Sequence, residues 1–171
     1  QYLEKKRQGT VGFALTILQR RLASSPEAIY QSLKRRCIRL ERMLEEVKLN
    51  QRGFSELGNL EELSEDDIDE MYDHGASEEV EELEEQVVDK ATASKTIQEL
   101  EAEIVSLKEL VELAKKVRQA EEDRKWIELS KLLQDTPEMY DRFGQRRKII
   151  IFTEHRDTLN YLCDRIEGLL G

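Results

Sequence analysis

The chain has 171 residues, of which 37% are charged and only 6% aromatic, and it carries a formal net charge of −10. That composition argues against a thick globular core and favours extended helical packing, while no apolar run is long enough to span a bilayer and no signal-peptide pattern opens the chain, so a cytoplasmic protein is expected. The charge is uneven: residues 1–52 hold 12 Lys/Arg against 5 Asp/Glu, residues 54–90 hold one Lys against 16 Asp/Glu, and the remainder is nearly balanced, so contact with nucleic acid by the N-terminal third stays open but a uniform basic footprint does not.

In chain order, Val11, Leu15, Leu18 and Leu22 form a 4-3-4 stripe that predicts a first helix from about Thr10 to Ala23. Ser24-Ser25-Pro26-Glu27 then reads as a stop followed by a start, with Ser25 as N-cap, Pro26 at the first helical position and an acidic first turn. Ile29, Leu33, Cys37, Leu40, Leu44 and Val47 continue a second helix to about Gln51, and Gly53 ends it. Residues 54–77 are punctuated by Gly58, Asn59, Gly75 and Ser77 but keep apolar anchors, which predicts an acidic loop with one or two short helices. A long helix is expected from Ser77 or Glu78, weakening between Asp89 and Thr96. Ile97, Leu100, Ile104, Leu107, Val111 and Ala114 then step 3-4-3-4-3, a heptad seam that Leu110, Leu113 and Val117 widen toward a further neighbour. Trp126, Ile127, Leu129, Leu132 and Leu133 mark another helix, closed by Asp135-Thr136-Pro137.

The C-terminal stretch has a different character. Lys148 to Phe152 is one basic residue followed by four apolar, mostly β-branched residues, which suits a strand buried on both faces. Thr153 and Asp157 are polar caps, and Leu159, Leu162, Ile166 and Leu169 or Leu170 recur at helical spacing. Strand, loop and helix form one βα unit with no second run to pair it. Gln1 in place of Met, together with an end at Gly171 just past this unit, leads to the expectation of a piece of a longer protein.

Several constellations invite chemistry. Arg35, Arg39 and Arg42 fall at i, i+4 and i+7 on one face of the second helix, where they could follow phosphates or could pair with Glu41, Glu45 and the acidic stretch. Asp66, Asp67, Asp69, Glu70 and Asp73 are crowded, but Met71 and Tyr72 stand where a calcium loop wants ligands or glycine, and His74 has no companion at ligand spacing. Glu99 and Glu103 are spaced for an exposed helix face, with nothing to raise either pKa. Cys37 and Cys163 read as reduced thiols on apolar helix faces. No Gly-rich phosphate loop and no Ser-His-Asp grouping is present, so the chain itself is expected to have no catalytic residue, cofactor or metal.

Two segments carry a resemblance. "KIIIFTEHRDTLNYL" resembles the opening of the second RecA-like lobe in superfamily-two helicases, particularly Swi/Snf-like ATPases of the RapA type. "GFALTILQRRLASSPEAIYQSLKRR" resembles the segment that follows the first lobe in the same proteins, with its LQxRxxSSPxAxxxSLxRR pattern. The likeness covers about residues 10–50 and 145–171. It implies that residues 1–53 are a basic helical segment after the first lobe, 54–77 an acidic loop, 78–144 a coiled-coil-like helical insertion, and 145–171 the incomplete start of the second lobe. It further implies a parent enzyme that hydrolyses ATP with Mg and translocates on duplex nucleic acid, with its phosphate-binding loop before Gln1 and its arginine motif after Gly171. The family meets the nucleic-acid backbone at the turn where Thr153, His155 and Arg156 stand, although this chain has Thr153-Glu154 where many members have Ser-Gln. A role in bracing the absent lobes is then expected for the arginines of the second helix.

The fold expectation is therefore mainly α: long helices packed as an antiparallel bundle or coiled coil, with one C-terminal βα unit from a truncated lobe. The rival is a free-standing coiled-coil interaction module. In either case the orphaned strand is expected to drive self-association.

Overall fold

The computed structural model describes residues 2–50, 77–90, 96–120 and 123–170, and among these the chain is mainly helical. Helix α1 spans Tyr2–Ser24, α2 Pro26–Asn50, α3 Ser77–Lys90, α4 Ile97–Gln119, α5 Arg124–Asp135 and α6 Arg156–Leu170, with a single 3₁₀ turn at Pro137–Met139. The expected acidic loop with short helices and the crowded carboxylates Asp66 to Asp73 lie outside the described residues.

Helix α2 is the centre of the bundle, in contact with α1, α3, α4 and α6. Its start follows from local chemistry: the Ala28 N–H donates to Ser25 Oγ at 3.1 Å, Pro26 gives up an N–H that would have no helical partner, and one residue separates α1 from α2. Along α2, Ile29, Leu33, Cys37, Leu40 and Val47 are buried, as the spacing predicts. The first four meet Leu100, Ile104, Leu107 and Ala114 of α4, with Val111 packed beside them. The two helices run antiparallel, since Lys48 pairs with Glu101, Glu41 with Lys108, and Glu27 with Arg118. Thr96 caps α4 by accepting the Glu99 N–H at 3.1 Å. The heptad seam thus holds from Leu100 to Ala114, whereas Ile97 at its expected start is exposed, as are Leu110, Leu113 and Val117 of the wider stripe.

Helix α1 uses a face rotated from the predicted stripe, of which Val11 and Leu18 still pack partly inward. Ala14 and Ile17 are buried against Val87 and Val88 of α3, whereas Leu15 and Leu22 are exposed. Small Ala14 allows close approach of a second helix, and a buried charge at position 21 fixes the rotation, as described below. Helix α5 begins on the N-cap Asp123, which accepts from the N–H groups of Lys125 and Trp126. Leu133 is the buried residue of that helix, and the other apolar positions are partly or more exposed.

The C-terminal βα unit is corrected by the structure. The helix forms, but the strand expected over Lys148–Phe152 does not. A tight turn joins Asp141 to Gln145, with Asp141 Oδ1 accepting from the Phe143 and Gln145 N–H groups at 2.8 Å each. Gly144 sits at φ 75°, a conformation that costs other residues strain. An isolated antiparallel bridge pairs Tyr140 with Arg146, and the last backbone bond of this turn runs from the Arg147 N–H to the Met139 carbonyl. Beyond it no ladder forms among the described residues, because no described segment lies alongside 148–152 to supply one. Nor is the run covered on two faces; only Ile149 and Ile151 turn inward, toward α6.

Leu100→Ala should lower unfolding stability by about 2–5 kcal/mol, because it opens a cavity in a fully buried seam. Glu109→Ala, on the exposed face of the same helix, should stay within about 0.5 kcal/mol. Denaturant unfolding followed by circular dichroism compares the two, and equal effects would mean that the seam is misassigned.

Candidate functional site

The polar centre of the molecule is an ionic hub where α1, α2, α3 and α6 meet. Arg21 of α1 is 1% exposed and Glu84 of α3 is 2% exposed. The Arg21 guanidinium donates to Ser32 Oγ at 2.5 Å, and stands 3.6 Å from a Glu84 oxygen and 3.5 Å from one of Glu85. Arg20 pairs with the other oxygen of Glu84 at 3.1 Å and reaches Glu154 at 2.9 Å. Burying a carboxylate is tolerable only when cations and hydrogen bonds replace its water, and here two arginines do so.

A second layer ties α6 to the hub. Arg35 donates to both carboxylate oxygens of Asp157, at 2.7 and 3.3 Å, and also contacts Glu85 at 2.7 Å. Such a fork geometry is the strong form of the pair. Burial opposes the Arg35 charge, but the hydrogen bond and attraction to Asp157, with Glu85 and Glu81 adding, outweigh it and hold the pKa above its ordinary value. Arg39 adds a longer contact to Glu85 at 3.4 Å. Thr158 shares 2.8 Å hydrogen bonds with both Ser24 and Ser25 at the α1–α2 break. The N-terminus of α6 is capped from another helix: both Glu81 carboxylate oxygens accept the Arg156 N–H at 3.2 Å. A carboxylate at that position also complements the helix dipole.

The sequence-derived candidates divide. Arg35 and His155 are internal parts of the hub, and Arg39 touches its rim. Arg42 and the Arg156 side chain are exposed, whereas Thr153 is half-buried and its Oγ1 accepts a long 3.5 Å bond from the His155 N–H. Thr153 therefore precedes α6 without capping it. Asp157 sits in the first turn and serves Arg35. Glu103 differs from its expected exposed role, since it binds the buried Arg36 at 2.7 Å.

His155 is buried and its Nε2 has no hydrogen-bond partner among the described residues. Burial, then the nearby Arg21 charge, push its pKa below the ordinary value of 6.5, against the opposing pull of Glu84, Glu81 and Glu154. The imidazole is accordingly neutral in the fold. In the second turn of α6, the Tyr161 hydroxyl donates to Asp123 at 3.0 Å, and burial together with that bond raises its pKa to about 12. Burial raises the Cys37 thiol as well, with Glu41 adding to it, consistent with a core thiol; Cys163 is exposed instead, beside the apolar cavity under α6.

Chemically the hub is a clamp. It presents no nucleophile beside a base, and no group of three or more metal-ligating side chains occurs among the described residues. No helix among them is long and apolar enough to cross a membrane. No protein-family model, curated protein or solved structure matches the chain.

Sequence reasoning missed the hub because its partners lie far apart, up to 134 positions. A signal was present. Glu81, Glu84 and Glu85 fall at i, i+3 and i+4 in a helix whose next turn carries Val87 and Val88, so the carboxylates sit beside the apolar face.

Glu84→Gln should cost up to about 3 kcal/mol, because it removes the buried carboxylate shared by Arg20 and Arg21 and leaves Arg21 only the Glu85 carboxylate. Glu101→Gln, which breaks the half-exposed pair with Lys48, should cost less than about 1 kcal/mol. Urea midpoints of the two variants test the contrast. For His155 the unfolded chain binds a proton more readily than the fold, so stability is full above the ordinary 6.5 and falls as pH drops below it. Melting temperature should decrease between pH 7.5 and 5.5 in the unaltered chain and less in His155→Gln; parallel curves would show that His155 is not the titrating group.

Proposed function

We propose that this chain is the helical inter-lobe region of a cytoplasmic Swi/Snf-like ATP-dependent translocase, acting as a brace between the segment after the first lobe and the first helix of the second. One observation supports this reading above others. The two stretches that carry the family resemblance are over a hundred residues apart, yet they touch through their own characteristic residues. Arg35 grips Asp157, and Ser24 and Ser25 hold Thr158.

In this reading α2 and α6 move as one body, so a shift of the second lobe is passed directly to the helices behind the first. ATP and Mg belong to the lobes of the parent enzyme, and the fragment itself is non-catalytic. Contact with duplex nucleic acid falls to the exposed Arg42 and Arg156 and the rim residue Arg39, with Thr153 at the turn, while Arg35 and His155 support the turn from within. The rival reading, a free-standing coiled-coil interaction module, draws on the exposed Leu110, Leu113 and Val117 of α4.

The reading frame around this chain separates the two: the brace requires a phosphate-binding loop upstream and an arginine motif downstream, and a complete frame without either overturns it. In the full-length enzyme Asp157→Asn should lower nucleic-acid-stimulated ATP turnover severalfold and leave ATP affinity unchanged. The 171-residue chain alone should show no thermal shift with ATP and magnesium, since a ligand that binds the native state raises its melting temperature. A clear shift would reveal a phosphate site within it.

A further inference from the structure

Residues 148–153 form a bare edge without regular secondary structure that ends in a bend at Glu154, and the order of residues from Lys148 to Glu154 is self-complementary. Exposure alternates along it: Ile149 and Ile151 are 39% and 37% exposed, whereas Ile150 and Phe152 are 80% and 90% exposed. A period of two is that of an extended chain. Ile149, Ile151 and Thr153 line an apolar cavity of about 370 Å³ with Leu159, Leu162 and Ile166 of α6. Lys148, Ile150, Phe152 and Glu154 have the opposite parity and form the outward face. Among the described residues, no backbone–backbone hydrogen bond reaches any position from 148 to 154.

We propose that this edge is a dimer interface, in which two copies of the chain pair antiparallel about a two-fold axis at Ile151. The order of the outward residues selects that arrangement. In this register Lys148 faces Glu154 of the second copy, and Ile150 faces Phe152 of the second copy; the symmetry repeats both contacts. Opposite charges and an aliphatic–aromatic pair are favourable directly across a ladder. Parallel in-register pairing would instead set lysine against lysine and glutamate against glutamate. A slip of two residues sets Lys148 opposite Phe152 or Arg156, and a slip of one turns the outward set toward α6. Glu154 accepts from Arg20 through Oε2 and is largely exposed, so its other oxygen is available to a lysine across the axis. Backbone pairing meanwhile occupies polar groups that otherwise rely on water.

In the brace reading the remainder of the second lobe would pair this same edge, so the dimer interface is that of the 171-residue chain by itself, and a failed dimer leaves the brace contacts of Asp157 and Thr158 untouched. Sedimentation equilibrium of the 171-residue chain should show a dimer at micromolar concentration. Lys148→Glu and Glu154→Lys should each weaken dimerisation about tenfold or more, and the double exchange K148E/E154K should restore it. Ile150→Lys, at an exposed position, should abolish the dimer while helical circular dichroism is retained. A chain that stays monomeric at high concentration overturns the proposal, and so does a dimer indifferent to all four variants.

Discussion

The buried contact of Arg21 with Glu84 is the constraint on which the rest of this structure depends. Two opposite charges placed almost wholly out of water must find each other, because neither can be left alone without a penalty of several kcal/mol. Meeting that requirement fixes the rotation of α1. With Arg21 turned toward α3, positions 14 and 17 follow to the same side, and Leu15 and Leu22 are carried out to solvent. Ile17 is fully buried on that side and Val11 and Leu18 pack partly against it, so the ionic contact and the apolar cluster hold the same side of the helix.

From that pair the order propagates in space rather than along the chain. Glu84 and Glu85 hold α3 against α1 and α2 through Arg20, Arg21, Arg35 and Arg39. Arg35 shares itself between Glu85 and Asp157, so the position of α3 is linked to that of α6. Glu81 completes the circuit by capping α6. The marked charge asymmetry of the sequence, basic before residue 53 and acidic after it, is thus used internally where the chain is described. Basic and acidic segments neutralise one another across helices, which reduces the positive field that the described residues offer a polyanion.

Much of the helical framework was legible from spacing. The second helix and the heptad seam of α4 read correctly because a single apolar stripe, repeated over many turns, faced one partner, and Ser25-Pro26 supplied an unambiguous local start. Thr96, which caps α4, reads in sequence only as the end of a weakened stretch of a longer helix. Where the reading failed, the deciding partner was nonlocal. Leu110 and Leu113 have the same periodicity as packed residues, and nothing in their own segment reveals that no described helix covers them. Glu103 looked solvated until α2 brought Arg36 to it. Arg35, Arg39 and Arg42 are candidates on a charge pattern along one helix, and that pattern cannot tell an arginine offered to phosphate from one already held by Asp157.

The missing strand teaches the same point in its sharpest form. Ile149 to Phe152 have the strongest β preference in the chain, yet preference without a neighbouring backbone produces an extended edge and no ladder. What the local sequence did determine was alternation: Ile149 and Ile151 cover α6, and Ile150 and Phe152 are left outside. The inner residues gain burial within one molecule, so the segment stays extended against α6 even unpaired. That standing extension removes part of the ordering cost of adding a second strand, since the backbone is already near the geometry a ladder requires. An edge held open in this way favours whichever strand can match it in polarity and charge, and the order Lys148, Ile150, Phe152, Glu154 matches its own reverse.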